Sequence, residues 1–162
     1  QSWSRLWAMP LYAIQRWWLG VEQAGPVFAF GLPQIKRAPN AVIRLGNNVQ
    51  LISSSVRAAS ATLAGPVRLA ALTDTAQIII EDNVGLNGTS ITARSRKIQI
   101  GTGTIIAPNA VIMDSDFHAI WPPEARQTLP DFEGDADVTI GRNVWCCGGQ
   151  LKQCDKATSQ RK

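Results

Sequence analysis

Apolar residues return at every sixth position through the middle of the chain. Ile80, Leu86, Thr92 and Ile98 keep this interval, with Val84 and Ser90 at the small positions between them. A second run, Ile100, Ile106 and Ile112, keeps it again, with Gly101 directly after the first Ile and Thr104 and Ala110 each four after an Ile. Apolar, small and turn residues repeating together with this period predict a coil of short parallel strands, three hexads to a turn. Each strand turns apolar residues inward and reaches the next side of the coil through a tight corner. The two runs are out of step by two residues at Ile98 and Ile100, so an enlarged corner is expected at Arg94 to Lys97. Upstream, Phe28 and Phe30 alternate with small residues as a strand would, and Leu45 to Leu51 is a clear hexad with Asn47 and Asn48 at its corner. Positions 52–77 are less regular and read as a degenerate coil with an excursion around Ser53 to Pro66.

The pattern changes at three places. The sixth position after Ile112 is His118, the single histidine of the protein, and a loop from Ala119 to Asp137 interrupts the coil until Val138 to Trp145 restarts it. Before Val27 the chain is rich in tryptophan (Trp3, Trp7, Trp17, Trp18); Pro10 suits the first turn of a helix and Gly25-Pro26 would end it. Leu11, Ile14, Trp18 and Val21 would share one helical face. This segment reads either as a cap on the first coil, which a repeat fold needs, or as an interfacial helix with Trp and Arg at the headgroup level of a membrane. It lacks the run of about 18 apolar residues that spanning requires. After Trp145 the hexads stop in a polar, aperiodic tail, as a frameshift or truncation would leave it. Positions 138–162 are therefore expected to be the least ordered part of the repeat.

Ile100-Gly101, Ala107-Pro108-Asn109, Asp114-Ser115-Asp116-Phe117-His118 and Ile140-Gly141-Arg142-Asn143-Val144-Trp145 are motifs at which the chain resembles the hexapeptide-repeat acyltransferases. The similarity is to the maltose and galactoside acetyltransferase group and to O-acetyltransferases of bacterial polysaccharide synthesis, over roughly Val27 to Trp145. It implies an all-β chain: a left-handed parallel β-helix with a short N-terminal helix and a protruding loop. The corresponding division is an N-terminal helical segment at 1–26, the β-helix acyltransferase domain at 27–146 and an irregular tail at 147–162. It further implies a homotrimer in the cytoplasm, or peripheral at the inner membrane face, that transfers an acetyl group from acetyl-CoA to a hydroxyl of a sugar or glycan precursor. No metal is called for.

Composition narrows the alternatives. A formal charge of +4 suits an anionic ligand or surface, but no basic stripe interleaved with aromatics is present, so nucleic acid is not an expected partner. Cys146, Cys147 and Cys154 are odd in number and lack CxxC spacing, which points to reduced thiols rather than a disulfide framework or zinc ribbon. A single histidine excludes a zinc carbonic anhydrase on this architecture. No dinucleotide-binding or P-loop pattern occurs.

Acyl transfer to a hydroxyl needs a base that takes the hydroxyl proton, and imidazole titrates in the right range. His118 is that candidate. Asp116, two residues earlier, would lie on the same side of an extended strand and orient the ring; Glu124 is a second candidate for this role. Trp145 resembles a family tryptophan that lies near coenzyme A or acceptor, or else belongs to an aromatic subunit contact. Asn87 corresponds loosely to a family Asn near the acceptor hydroxyl, or else is a corner residue. Arg126 and Arg142 read as phosphate ligands or as solvated arginines. The competing functions are an inactive β-helix scaffold and an acetyltransferase for a small non-sugar acceptor such as serine or a xenobiotic.

Overall fold

A short parallel strand has no hairpin partner, so its amides must be satisfied by strands one full turn away along the chain. The computed structural model, which describes residues 3–58, 62–118, 121–124, 134–146 and 150–152, meets this requirement with three parallel sheets of five strands. The first turn of chain contributes β1 (Glu22–Gln23), β2 (Val27–Phe30) and β3 (Gln34–Arg37). The second contributes β4 (Val42–Leu45), β5 (Val49–Ile52) and β6 (Arg68–Ala71), and the third β7 (Gln77–Ile80), β8 (Gly85–Asn87) and β9 (Ser90–Ala93). The fourth supplies β10 (Lys97–Ile100), β11 (Ile105–Ile106) and β12 (Val111–Met113), and the fifth β13 (Val138–Ile140), β14 (Trp145–Cys146) and β15 (Gln150–Lys152). Each sheet takes every third strand, a topology compatible with a parallel β-helix.

Register carries the core. Ile43, Ile78 and Ile98 lie opposite one another, as do Leu45, Ile80 and Ile100, all essentially without solvent exposure. Leu51, Leu86 and Ile106 line the second side, and Leu69, Ile91 and Ile112 the third. Each such side chain contributes about 1.5–3 kcal/mol of burial. Gly101 packs where a Cβ would come within 2.7 Å of the Gly141 backbone, which accounts for glycine after Ile100.

The corner between the first and second sheets repeats one backbone device. Asn48, Asn83 and Asn143 have φ of 57°, 58° and 54°, with Gly103 at 74° in the equivalent place. Asn tolerates the left-handed region better than other residues with a Cβ. At each coil the amide of this residue donates to the preceding coil: Asn48 to Pro26, Asn83 to Asn47, Gly103 to Asp82 and Asn143 to Thr102.

Two expectations of phase need correction. Thr92 does not point inward; Ile91 and Ala93 do, and Thr92 is covered from outside by a hydrogen bond from Arg68 Nη1 at 2.7 Å. The slip begins at the corner after Leu86, where Gly88 takes φ of 51° and the step to the next inward residue shortens to five. The register sets Ile98 opposite Ile78 and Ile100 opposite Ile80, so the step from Ile91 to the matching inward residue, Ile100, lengthens to nine through the enlarged corner at Arg94 to Arg96. The second correction concerns the end of the repeat. β15 pairs with β12, Leu151 opposite Ile112, so the parallel pairing runs past 146 into the segment read as tail. At the other end β1 pairs with β4 ahead of position 27. From Cys146, opposite Ile106, to Leu151, opposite Ile112, the chain takes the same five-residue step, which counting by sixes overlooks.

Helix α1 (Trp3–Leu19) lies against β2 and β3. Pro10 sits inside it rather than in its first turn; the ring's missing N–H costs one backbone bond. Gly20, at φ of 61°, ends it: Val21 N–H donates to Arg16 O and Gly20 N–H to Trp17 O, the paired bonds of a Schellman cap. The residues read as one helical face do not pack as a unit. Ala8 and Tyr12 are buried with Met9 and Leu19 against the core, whereas Leu11, Ile14 and Trp18 are exposed. Val21 is buried, but it follows the Gly20 cap, so helical periodicity no longer governs it.

Tyr12 reports on this packing. Burial pushes its phenol up to about 12, against a smaller opposing effect of Arg16, and its hydroxyl has no hydrogen-bond partner among the described residues. As the only tyrosine, it can be followed by phenolate absorbance. Ionisation should be delayed toward about 12 in the folded protein. Because the folded value is raised, the associated stability should hold below about pH 10 and be lost as pH rises further. Titration near the ordinary phenol value in folded protein would show that α1 does not cap the coil through Tyr12.

Candidate functional site

The long insertion leaves the coil at the corner between the third and first sheets, after β12, and returns at β13. Its two limbs grip the corner of the coil before it. Asp114 accepts hydrogen bonds from three successive amides: Arg94 N–H at 2.7 Å, Ser95 N–H at 3.1 Å and Arg96 N–H at 2.8 Å. Consecutive amides of this kind form a small anion-binding concavity. On the returning limb, Ala136 N–H donates to Asp114 O and Asp137 accepts from Lys97 N–H.

Asp135 forms the other half of the clamp. Its carboxylate takes a two-armed contact from Arg94, Nε to Oδ2 at 2.9 Å and Nη2 to Oδ1, and a hydrogen bond from Ser95 Oγ. Both charged side chains are withdrawn from solvent, at 6% and 0% exposure. Desolvation alone would raise the Asp135 carboxyl, but hydrogen bonds from Arg94, Ser115 and Ser95, with the Arg94 charge, hold it below the usual carboxylate range. The Arg94 guanidinium also lies 5.6 Å from the centre of the Phe117 ring. Thus acidic residues of the insertion hold the 94–97 corner through its backbone amides, and the Arg94 side chain through its charge.

This anchoring places the predicted catalytic segment. His118, which six-residue counting alone would turn inward, is exposed on a bend outside the strands, where the regular coil breaks off. Asp114 has already turned the chain away to serve the neighbouring corner. Phe117, at φ of 67°, breaks the extended geometry on which same-side placement of Asp116 and His118 was argued. For an aromatic residue this backbone state costs on the order of 1–3 kcal/mol, and such strain concentrates at functional sites. Ser115 Oγ accepts from Phe117 N–H at 2.8 Å and helps hold the turn. Asp116 lines a small polar cleft of about 20 Å³ between the two limbs, room for one water. Glu124 is exposed, and Arg126 lies outside the described residues.

The other predicted residues lie elsewhere on the coil. Asn87 closes β8 at the corner between the second and third sheets, where its Nδ2 donates to Ile106 O at 2.9 Å and its carbonyl accepts from Asn109 N–H. That corner and the His118 corner are separated by the width of the third sheet, four residues at about 3.3 Å each or roughly 13 Å. Trp145 projects from the outer face of the second sheet, 76% exposed, opposite Ile105. Arg142 is exposed and lowers the Glu81 carboxyl, a minor contribution beside the hydrogen bonds that Gln99 and Thr102 give it.

One feature escaped the sequence pattern. The excursion after β5 folds back beside the third sheet, where Asn109 Oδ1 accepts from Ala64 N–H and Nδ2 donates to Thr62 O. Between excursion and sheet runs an open groove of about 440 Å³, with Gln34, Arg68, Ser90 and Val111 on its floor. Arg68, oriented by Thr92, gives this groove a cation suited to an anionic ligand. The signal in the sequence was an arginine ahead of Leu-Ala-Ala, the next strand after the irregular stretch.

No protein-family model, curated protein or solved structure matches this chain.

The clamp makes a stability prediction. Asp135→Asn should leave the Arg94 charge buried without its counterion and cost about 3–5 kcal/mol, read as a lowered urea midpoint. Because the folded carboxyl lies below its ordinary value, its stabilisation is present above about pH 4 and is lost as pH falls through the folded value. The difference between wild type and variant should therefore shrink on acidification. A variant as stable as wild type at pH 7 would remove the clamp from this account.

Proposed function

We propose that the protein is a coenzyme A-dependent O-acetyltransferase, built on a left-handed β-helix and acting on a hydroxyl of a sugar or polysaccharide precursor. The observation that carries this reading is the position of His118: it leaves the coil where the residue after Ile100, Ile106 and Ile112 would otherwise fall, on a segment anchored by Asp114 and Asp135. In the proposed reaction His118 takes the proton of the acceptor hydroxyl as its oxygen attacks the thioester carbonyl. The tetrahedral intermediate collapses with expulsion of the coenzyme A thiolate, which recovers the proton from the imidazolium. Asp116 would orient and balance the imidazolium. Backbone amides would stabilise the oxyanion.

The same reading includes a homotrimer. Ile105 and Trp145 are exposed side by side on the outer face of the second sheet, with Phe28 on the same row beyond Gln50 and Gly85, and the adjacent Ile105–Trp145 pair suits a subunit contact. Asn87 and His118 stand on different edges of one copy, so a site using both would take them from adjacent copies. Trp145 would then meet coenzyme A where two copies adjoin.

Thiol release from acetyl-CoA, followed across a panel of sugars and serine, tests the activity. His118→Ala should lower turnover by about 10²–10⁴-fold with an unchanged circular dichroism spectrum. Turnover by the variant at the wild-type rate would exclude His118 as the base, and absence of acetyl-CoA binding by wild type would favour a scaffold. Light scattering should give a trimer mass for wild type and a smaller one for Ile105→Glu. A wild-type monomer would remove the subunit contact.

A further inference from the structure

The cap helix has two apolar sides, and the coil uses only one. Tyr12 and Ala8 face the core, and the helix is tied down from its inner side: Met9 Sδ accepts from Ala29 N–H at 3.3 Å, and Arg37 Nη1 donates to Leu19 O at 3.0 Å. The other side presents Leu11, Ile14, Trp17 and Trp18, the two tryptophans 78% and 80% exposed. Leu11, Ile14 and Trp18 follow the three- and four-residue spacing of one helical stripe, with Trp17 at its margin. Four large apolar side chains held together by a fixed helix form a surface that a water-facing cap does not need.

Charge indicates what covers it. Positions 1–46 carry Arg5, Arg16, Lys36, Arg37 and Arg44 against a single acidic residue, Glu22. That end alone accounts for the whole formal charge of +4; from 47 onward, eleven basic residues meet eleven acidic ones. The helix itself contains no acidic residue. A second copy docked helix to helix would bring two positive ends together. An anionic lipid surface offers the opposite charge and an apolar layer for the indoles, which favour the interface between headgroups and chains. The helix cannot serve instead as a span: no helix among the described residues is long and apolar enough to cross a membrane.

We propose that α1 is a membrane-docking surface: its outward face, Leu11, Ile14, Trp17 and Trp18, lies in the headgroup region of an anionic bilayer while its inward face caps the coil. The first coil then rests nearest the membrane, and the corner bearing His118 stands three coil spacings further out, roughly 14 Å. The docking does not depend on the acyltransferase reading, and its test involves no turnover.

The full chain is mixed with vesicles of phosphatidylcholine alone and of phosphatidylcholine with phosphatidylglycerol, and floated. Wild type should float with the anionic vesicles, its tryptophan emission should shift to the blue, and added salt should weaken the association. Trp17→Ser/Trp18→Ser should weaken it by at least about tenfold while the Tyr12 titration stays high, showing the cap intact. Arg16→Gln/Lys36→Gln should weaken binding to anionic vesicles only. No flotation of wild type, or equal flotation of the tryptophan variant, overturns the proposal. So does a mass in solution that falls from oligomer to monomer in the tryptophan variant, which would assign the face to a second copy of this chain.

Discussion

Every strand in this protein is satisfied from a distance. Ile100 lies opposite Ile80 on one side and Ile140 on the other, although the intervening corners and insertions differ in length. Vertical pairing at a fixed spacing of about 4.8 Å is the constraint on which the rest depends. It aligns the inward rows of Ile and Leu, and it forces each corner to lie directly above the last. A residue that suits one corner therefore has to suit the stack, and the left-handed Asn and Gly column between the first two sheets is the result. Insertions are tolerated only where the chain can leave a corner and return to the same register.

Both insertions are secured by polar contacts to neighbouring coils, and the two solutions differ. The excursion after β5 is held mainly by neutral hydrogen bonds, with Asn109 bridging to its backbone. The loop after β12 is held by carboxylates: Asp114 on three amides, Asp135 on Arg94 and Asp137 on the Lys97 amide. Charged anchors are the stronger kind, and the buried pair among them is costly to break from one side. The stronger clamp is at the insertion that carries His118. The base proposed at His118 would need to be held by something outside its loop, and this clamp does so on one flank.

The cap helix resolves an ambiguity that helical periodicity alone left open. Capping and membrane docking looked like rival uses of one apolar face. The helix has an apolar face on each side, Tyr12 and Ala8 inward, Trp17 and Trp18 outward, so the two uses do not compete. A stripe drawn through Leu11, Ile14 and Trp18 identified a real apolar face without fixing which way it points, because residues equally apolar by type, Ala8 and Met9 with Tyr12, made a second one.

The sequence by itself determined the coil. The six-residue recurrence of Ile and Leu, the small residues between them and Asn at the corners are local signals, legible because a repeated backbone leaves a repeated chemical demand. It also marked the position of the break after Ile112, where apolar phase arrives at a histidine. What it could not determine were contacts between residues far apart in number whose pairing has no period. Asp135 and Arg94 stand 41 apart, and neither residue type nor spacing marks them as a pair. Nor does six-residue counting detect a corner shortened by one, as at Gly88, since the enlarged corner that follows brings another inward residue, Ile98, onto the counted position; the same shortened step hid the strand at Gln150–Lys152. Tertiary structure decided these points because pairing in this fold is set by the coil above and below. A residue's neighbours are a full turn of chain away, and they choose its register and the side it faces.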